Sequence, residues 1–169
     1  MFKKKILIGL KKQLNKELES SLLYLSMASW VEYKYGNLEG IYNFLYDHSE
    51  EEKKHMLKLI KYLNKRGAYA DIVYQFNLKK SWNTLKELFQ KLYKHEQKIS
   101  DEINLLVDLS LKEKDFFTYN FLQWYVEEQI EEEGLSKMIL DKINFLENDK
   151  GGLYLFDYDL KNFHKKNKL

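Results

Sequence analysis

Ile41-Tyr42-Asn43-Phe44-Leu45-Tyr46-Asp47-His48-Ser49-Glu50-Glu51-Glu52-Lys53-Lys54-His55-Met56-Leu57-Lys58-Leu59 repeats its core-type positions every three or four residues, at Ile41, Leu45, His48, Glu52, His55, Leu59 and then Tyr62. That period is the inward stripe of an amphipathic helix, yet it carries carboxylate and imidazole where aliphatic side chains belong. Three other segments share the character. One reads Leu10, Leu14, Glu17, Ser21, Tyr24, Ala28, Val31; a second Leu85, Phe89, Leu92, Glu96, Ile99, Ile103, Leu106; a third Phe117, Phe121, Trp124, Glu128, Glu131, Leu135, Met138. Pro is absent and there are only 7 Gly in 169 residues, so nothing interrupts long helices. An all-α fold is expected.

The pattern predicts helix A over about residues 6–35, with Gly36 just past its end, and helix B over about 38–66, capped by Asn37 and stopped before Gly67. Helix C is expected over about 83–112 and helix D over about 115–148, with Asp115 as the cap of D. Each is about 45 Å long. The turns after A and after C are short enough to force antiparallel neighbours. Gly67 to Trp82, 16 residues without a convincing element, spans about 50 Å when extended and can return along the whole bundle. An up-down-down-up four-helix bundle follows, with one long crossover between B and C. After Gly151-Gly152 a short fifth helix is expected over about 153–163, and residues 1–169 read as one domain.

Lys and Arg number 28 against 26 Asp and Glu, a net charge of +2 that gives no case for nucleic acid or a membrane surface as partner. The absence of Cys excludes a disulfide framework, a thiolate zinc site and any Cys-ligated iron centre. No apolar run approaches the ~20 residues of a membrane span. Ile6 to Leu10 is too short for a signal peptide and is closed by Lys11-Lys12. A cytoplasmic protein is expected.

The carboxylates interrupt the stripes near the middle of each helix, so they meet at one level whichever way the helices run. Burying an ionised carboxylate costs several kcal/mol even after relaxation, and no Lys or Arg shares these central positions. A bound cation is therefore required. Hard oxygen donors with one imidazole suit iron or manganese, whereas structural zinc usually brings Cys or more His. Glu52 and His55 form a Glu-x-x-His pair one turn apart. Di-iron bundles of the ferritin type combine a Glu from each of two helices with a Glu-x-x-His from each of the other two. The match is partial, because helix D offers Glu128-Gln129-Ile130-Glu131-Glu132 and no second His.

Glu17-Leu18-Glu19-Ser20-Ser21-Leu22-Leu23-Tyr24, Glu51-Glu52-Lys53-Lys54-His55-Met56 and Asn120-Phe121-Leu122-Gln123-Trp124-Tyr125-Val126-Glu127-Glu128-Gln129 resemble the signatures of the bacterial non-haem ferritins, and the resemblance runs from Leu14 to Tyr158. It implies iron storage. Two Fe(II) ions are oxidised by O2 or peroxide at an intrasubunit ferroxidase centre, and Fe(III) is stored as mineral inside a hollow homo-oligomeric shell of twenty-four subunits. It also implies that Glu17, Glu52 and His55 bind the first iron, that Glu52 bridges to a second held by Glu96 and Glu132, that Gln129 lies beside the second, and that Tyr24 is a redox-active tyrosine. Glu51, Glu128, Glu131 and Glu132 match third-site glutamates, and the i, i+3, i+4 spacing on helix D places three of them on one face.

No haem is expected. In the related bacterioferritins a haem-ligating Met follows the helix B Glu, where this sequence has Lys53. Di-iron oxygenases and rubrerythrin-like proteins are rivals that call for a second Glu-x-x-His or for Cys, and a purely structural bundle is the alternative without metal. His48 is read as a hydrogen-bonded core histidine, His95 and His164 as solvent-facing, Glu127 and Glu133 as surface, and Phe116, Phe117, Tyr119, Phe121, Trp124 and Tyr125 as packing.

Overall fold

A computed structural model describes residues 2–73, 77, 81–146 and 149–167, residues 163–167 by backbone alone. It contains five helices: α1 Lys4–Lys34, α2 Glu39–Lys65, α3 Leu85–Lys112, α4 Phe116–Phe145 and α5 Lys150–Asn167. No strand occurs among the described residues. The middle of the expected crossover, the expected end of helix D at 147–148 and the His164 side chain lie outside them.

Cross-helix contacts fix the directions. Glu17 of α1 faces His55 of α2, and further along α1 Ser21 meets Ser49, earlier in α2, where the two exchange hydroxyl-to-carbonyl bonds of 2.7 and 2.8 Å, so α1 and α2 are antiparallel. Tyr62 on α2 bonds Thr118 on α4, while His48 faces Glu132, so that pair is also antiparallel. Gly9 packs on Leu106 whereas Tyr24 reaches Glu96, making α1 and α3 antiparallel too. Hence α2 and α3 are parallel and the bundle runs up, down, down, up.

Helix ends show what local sequence encodes. Past α2, Gly67 has φ 77°, with Gly67 N–H bonded to the Asn64 carbonyl and Ala68 N–H to that of Leu63, the two bonds of a Schellman stop. The turn after α3 repeats those bonds with Lys114 at φ 55°, where an L side chain is strained. Lys114→Gly is expected to raise the unfolding free energy by about 0.5–1 kcal/mol in urea titrations. Asp115 caps α4 by accepting the Thr118 N–H at 3.1 Å, and it also receives two bonds from Arg66.

Other ends differ from expectation. Helix α3 begins two residues late because Thr84 is its cap, accepting the Glu87 N–H at 3.1 Å, while Glu87 accepts the Asn83 N–H. Helix α5 begins three residues early and takes Gly151 and Gly152 into its first turn, because Asp149 accepts the Gly151 N–H at 3.0 Å. Asn37 does not cap α2. Leu38 occupies that position without a side-chain bond, and the Ile41 N–H is accepted by Asp157 of α5 at 2.8 Å.

The α4 stripe is displaced by one residue from the sequence reading. Thr118, Leu122, Tyr125, Gln129, Glu132, Ser136, Ile139 and Ile143 are the buried positions. Phe116 and Phe117, expected to pack, are 64% and 77% exposed. Apolar side chains occupy more than one face of this helix, so period alone selects the wrong one. The core splits into two apolar clusters. One holds Tyr24, Met27, Phe44, Phe89, Trp82 and Phe156, the other Leu10, Leu14, Leu59, Ile103, Leu122 and Tyr125. A polar layer separates them.

Candidate metal centre

That layer is made by one turn from each long helix. Glu17 from α1, Glu52 and His55 from α2, Glu96 from α3 and Glu132 from α4 are all buried, Glu17 and Glu96 to 1% exposure. Their donor atoms fall into three groups, each with atoms within 4.8 Å of one another: Glu17 with Glu52 and His55, Glu52 with Glu96 and Glu132, and His48 with Glu51 and Glu132. Glu52 belongs to the first two groups and Glu132 to the last two, so the groups form a chain across the bundle.

In the first group, His55 Nδ1 lies 3.5 Å from Glu52 Oε2 and 3.9 Å from Glu17 Oε2. The Gln13 amide donates to the other Glu17 oxygen at 2.8 Å, which leaves Oε2 turned inward. In the second, the Tyr24 hydroxyl donates to Glu96 Oε1 at 2.9 Å. Gln129 Nε2 reaches the Glu96 carbonyl at 3.3 Å, with Ser100 Oγ at the same distance. In the third, His48 Nε2 is 3.6 Å from Glu51 and 3.7 Å from Glu132.

Burial, with repulsion from Glu52, holds the Glu17 carboxyl well above the usual carboxylate range. Burial, with Glu96 and Glu132, does the same to Glu52. Glu96 rises to about 7 through burial, tempered by the hydrogen bonds from Tyr24 and Gln129. Glu132 rises to about 9 through burial and then the charges of Glu96 and Glu51. Among the described residues these carboxylates have His48 and His55 as ion-pair partners and no Lys or Arg, so without a bound cation protons must neutralise them.

Folding therefore retains protons that the unfolded chain releases above the ordinary carboxylate range. Stability of the metal-free protein is expected to fall as pH rises from about 5 through about 7 and on to about 9. Denaturant titrations in chelator at pH 5, 7 and 9 check this. A stability that climbed over that range would refute it.

Every expected residue of the first two positions is in the layer: Glu17, Glu52, His55, Glu96 and Glu132, with Tyr24 and Gln129 touching Glu96. Of the expected third-site glutamates, Glu51 and Glu132 meet with His48, whereas Glu128 and Glu131 join none of the three groups. Glu128 is half-buried, 3.6 Å from His55 Nε2, and Glu131 is exposed. Its charge, with that of Glu51, still helps hold Glu128 above its ordinary value after burial and against His55.

Sequence reasoning missed Gln13 and part of the surroundings of His48. Gln13 stands four positions before Glu17 on the same face, a spacing that reveals it. His48 both approaches the Phe44 carbonyl with Nδ1 at 3.0 Å and turns Nε2 to carboxylates, so the core reading covered half its surroundings. His95, expected in solvent, is half-buried. It contacts Ser20 Oγ at 2.7 Å, and burial pushes its imidazole down to about 4.

A family model described as a ferritin-like domain matches residues 8–146. A probable bacterial non-haem ferritin-like protein of Haemophilus influenzae is 46% identical over 154 residues, covering 91% of this chain and 92% of the relative. The bacterial non-haem ferritin of Campylobacter jejuni is 43% identical over 163 residues, 96% of each chain. An open-pore ferritin from the hyperthermophilic archaeon Archaeoglobus fulgidus superposes with a TM-score of 0.91 at 34% identity, covering 95% of this chain and 98% of that one.

Proposed function

Because this chain belongs to the bacterial non-haem ferritins, we propose that it stores iron, oxidising Fe(II) at a di-iron centre in its buried polar layer. The observation that carries this reading is the pair of groups sharing Glu52, five buried carboxylate and imidazole side chains to which, among the described residues, no Lys or Arg is paired. Glu17, Glu52 and His55 hold the first Fe(II), and Glu52, Glu96 and Glu132 the second, with Glu52 bridging. Two Fe(II) give one electron each, so the pair reduces O2 to peroxide with two protons, or peroxide to water.

Tyr24 and Gln129 fix Glu96 so that its carboxylate does not swing away when empty. The Tyr24 hydroxyl, donating to Glu96, supports reading it as the redox-active tyrosine that gives one electron to the O2 or peroxide being reduced. The oxidised iron passes to a mineral inside a homo-oligomeric shell, for which the family's twenty-four-subunit assembly is the working stoichiometry. No helix among the described residues is long and apolar enough to cross a membrane, in keeping with a cytoplasmic store.

A third cation position is proposed on His48, Glu51 and Glu132, with Glu128 and Glu131 adding to its negative field. Fe(II)-soaked crystals are expected to give three anomalous peaks per subunit, and only two would remove this position. The reading as a whole is tested by aerobic Fe(II) addition to purified protein, following Fe(III) absorbance together with particle size. Oxidation no faster than in buffer, or a particle the size of a monomer, would refute it.

A further inference from the structure

The far side of the His55 imidazole is enclosed by residues that the two iron positions do not use. Nδ1 faces Glu17 and Glu52, whereas Nε2 points the other way, 3.6 Å from Glu128 Oε1. Trp124 meets the ring edge-on, with centroids 5.1 Å apart and planes at 78°. Over the Trp124 ring stands the Lys58 ammonium, 3.4 Å from its centroid. Lys58 follows His55 by one turn of α2, and Trp124 precedes Glu128 by one turn of α4, so the four side chains line one seam between the helices, with the Lys58 charge acting on Glu128. Beneath them the Tyr125 hydroxyl donates to the His55 carbonyl at 2.8 Å and fixes the backbone.

A histidine that binds a metal through one nitrogen commonly presents the other to a carboxylate, which sets its tautomer and orientation. A cation on an indole face is strongly held when partly desolvated. Resting on the di-iron reading above, we propose that Glu128, Trp124 and Lys58 are positioning residues that clamp His55, keeping the proton on Nε2 and the unprotonated Nδ1 turned to the first cation position. Glu128 receives the Nε2 side, Trp124 blocks rotation of the ring, and Lys58 pins Trp124 while offsetting the Glu128 charge.

One substitution separates this clamp from plain electrostatics by sign. A lysine that merely repels cations raises metal affinity when its charge is removed, whereas a lysine that orients a ligand lowers it. The experiment is calorimetric titration of Co(II), which reports binding without turnover, into the metal-free full-length protein and into Lys58→Met, Lys58→Arg and Glu128→Gln, with the visible bands of bound Co(II) recorded alongside. Lys58→Met is expected to weaken the tightest Co(II) site by about tenfold or more and to alter its bands, and Lys58→Arg to restore both. Glu128→Gln is expected to weaken the same site while keeping the number of Co(II) bound.

Tighter or unchanged binding in Lys58→Met overturns the clamp. So does a Glu128→Gln protein that loses one equivalent of Co(II) with its tightest affinity intact, since Glu128 would then be a ligand of another cation. An unsubstituted protein without any tight Co(II) site overturns the di-iron reading itself and the clamp with it, a result distinct from either variant's failure.

Discussion

Replacing Glu52 and His55 together by alanine is expected to abolish the fast phase of Fe(II) oxidation, lowering the initial rate at least about 100-fold. Removing a partner outside the ligand set of a metal site costs 10–100-fold in affinity or activity, and this double substitution removes ligands themselves. Glu52 is shared by two of the three donor groups, so its loss damages both proposed iron positions, and His55 is the imidazole of the first. The bundle should survive, because the apolar clusters on either side of the polar layer are untouched. A second result follows from the same charges. Glu52 is held high by burial and by Glu96 and Glu132, so without it the decline in metal-free stability towards pH 9 should be shallower. Stopped-flow absorbance after Fe(II) addition, with circular dichroism to confirm folding, decides the matter. Rapid oxidation in this variant would remove the catalytic assignment.

The bundle was legible because three stripes obey one simple rule. In α1, α2 and α3 nearly every position chosen by period is buried, and the polar interruptions at Glu17, Glu52, His55 and Glu96 fall in the same layer. Helix α4 breaks the rule for a physical reason. Its buried face includes Thr118, Ser136 and Gln129, small or polar side chains that period does not flag, while Phe117, Ile130 and Phe145 stand outward. Periodicity therefore pointed to Glu128 and Glu131, and it was the resemblance to known ferritins that named Glu132 and Gln129. Contacts between residues far apart in sequence carry no local mark at all. Asp157 at the start of α2 is such a case, since Asn37 supplied the stronger local signal and the actual acceptor comes from another helix.

Gly40→Val is expected to release α5 and to lower the unfolding free energy by about 3–5 kcal/mol. A Cβ at position 40 would lie 1.9 Å from the Asp157 carbonyl oxygen and 2.8 Å from its carbon, both backbone atoms of α5 that no rotamer change can move. The helix must retreat. In doing so it withdraws the Asp157 carboxylate from the Ile41 N–H, a 2.8 Å bond that satisfies an otherwise orphaned donor at the positive end of α2. Leaving a buried donor unpaired costs about 1–3 kcal/mol. Phe156 and Leu160, both in the core cluster at this end, lose cover worth about 1.5–3 kcal/mol for each side chain fully uncovered. The Lys161 to Glu39 ion pair, being exposed, adds little. Gly134→Ala is the control, because its Cβ would meet nothing within 4 Å. Hydrogen exchange along residues 150–162 should therefore accelerate in Gly40→Val and stay near the unsubstituted rate in Gly134→Ala. Equal protection in the two variants would mean that the close approach of α5 to Gly40 does not hold the helix in place.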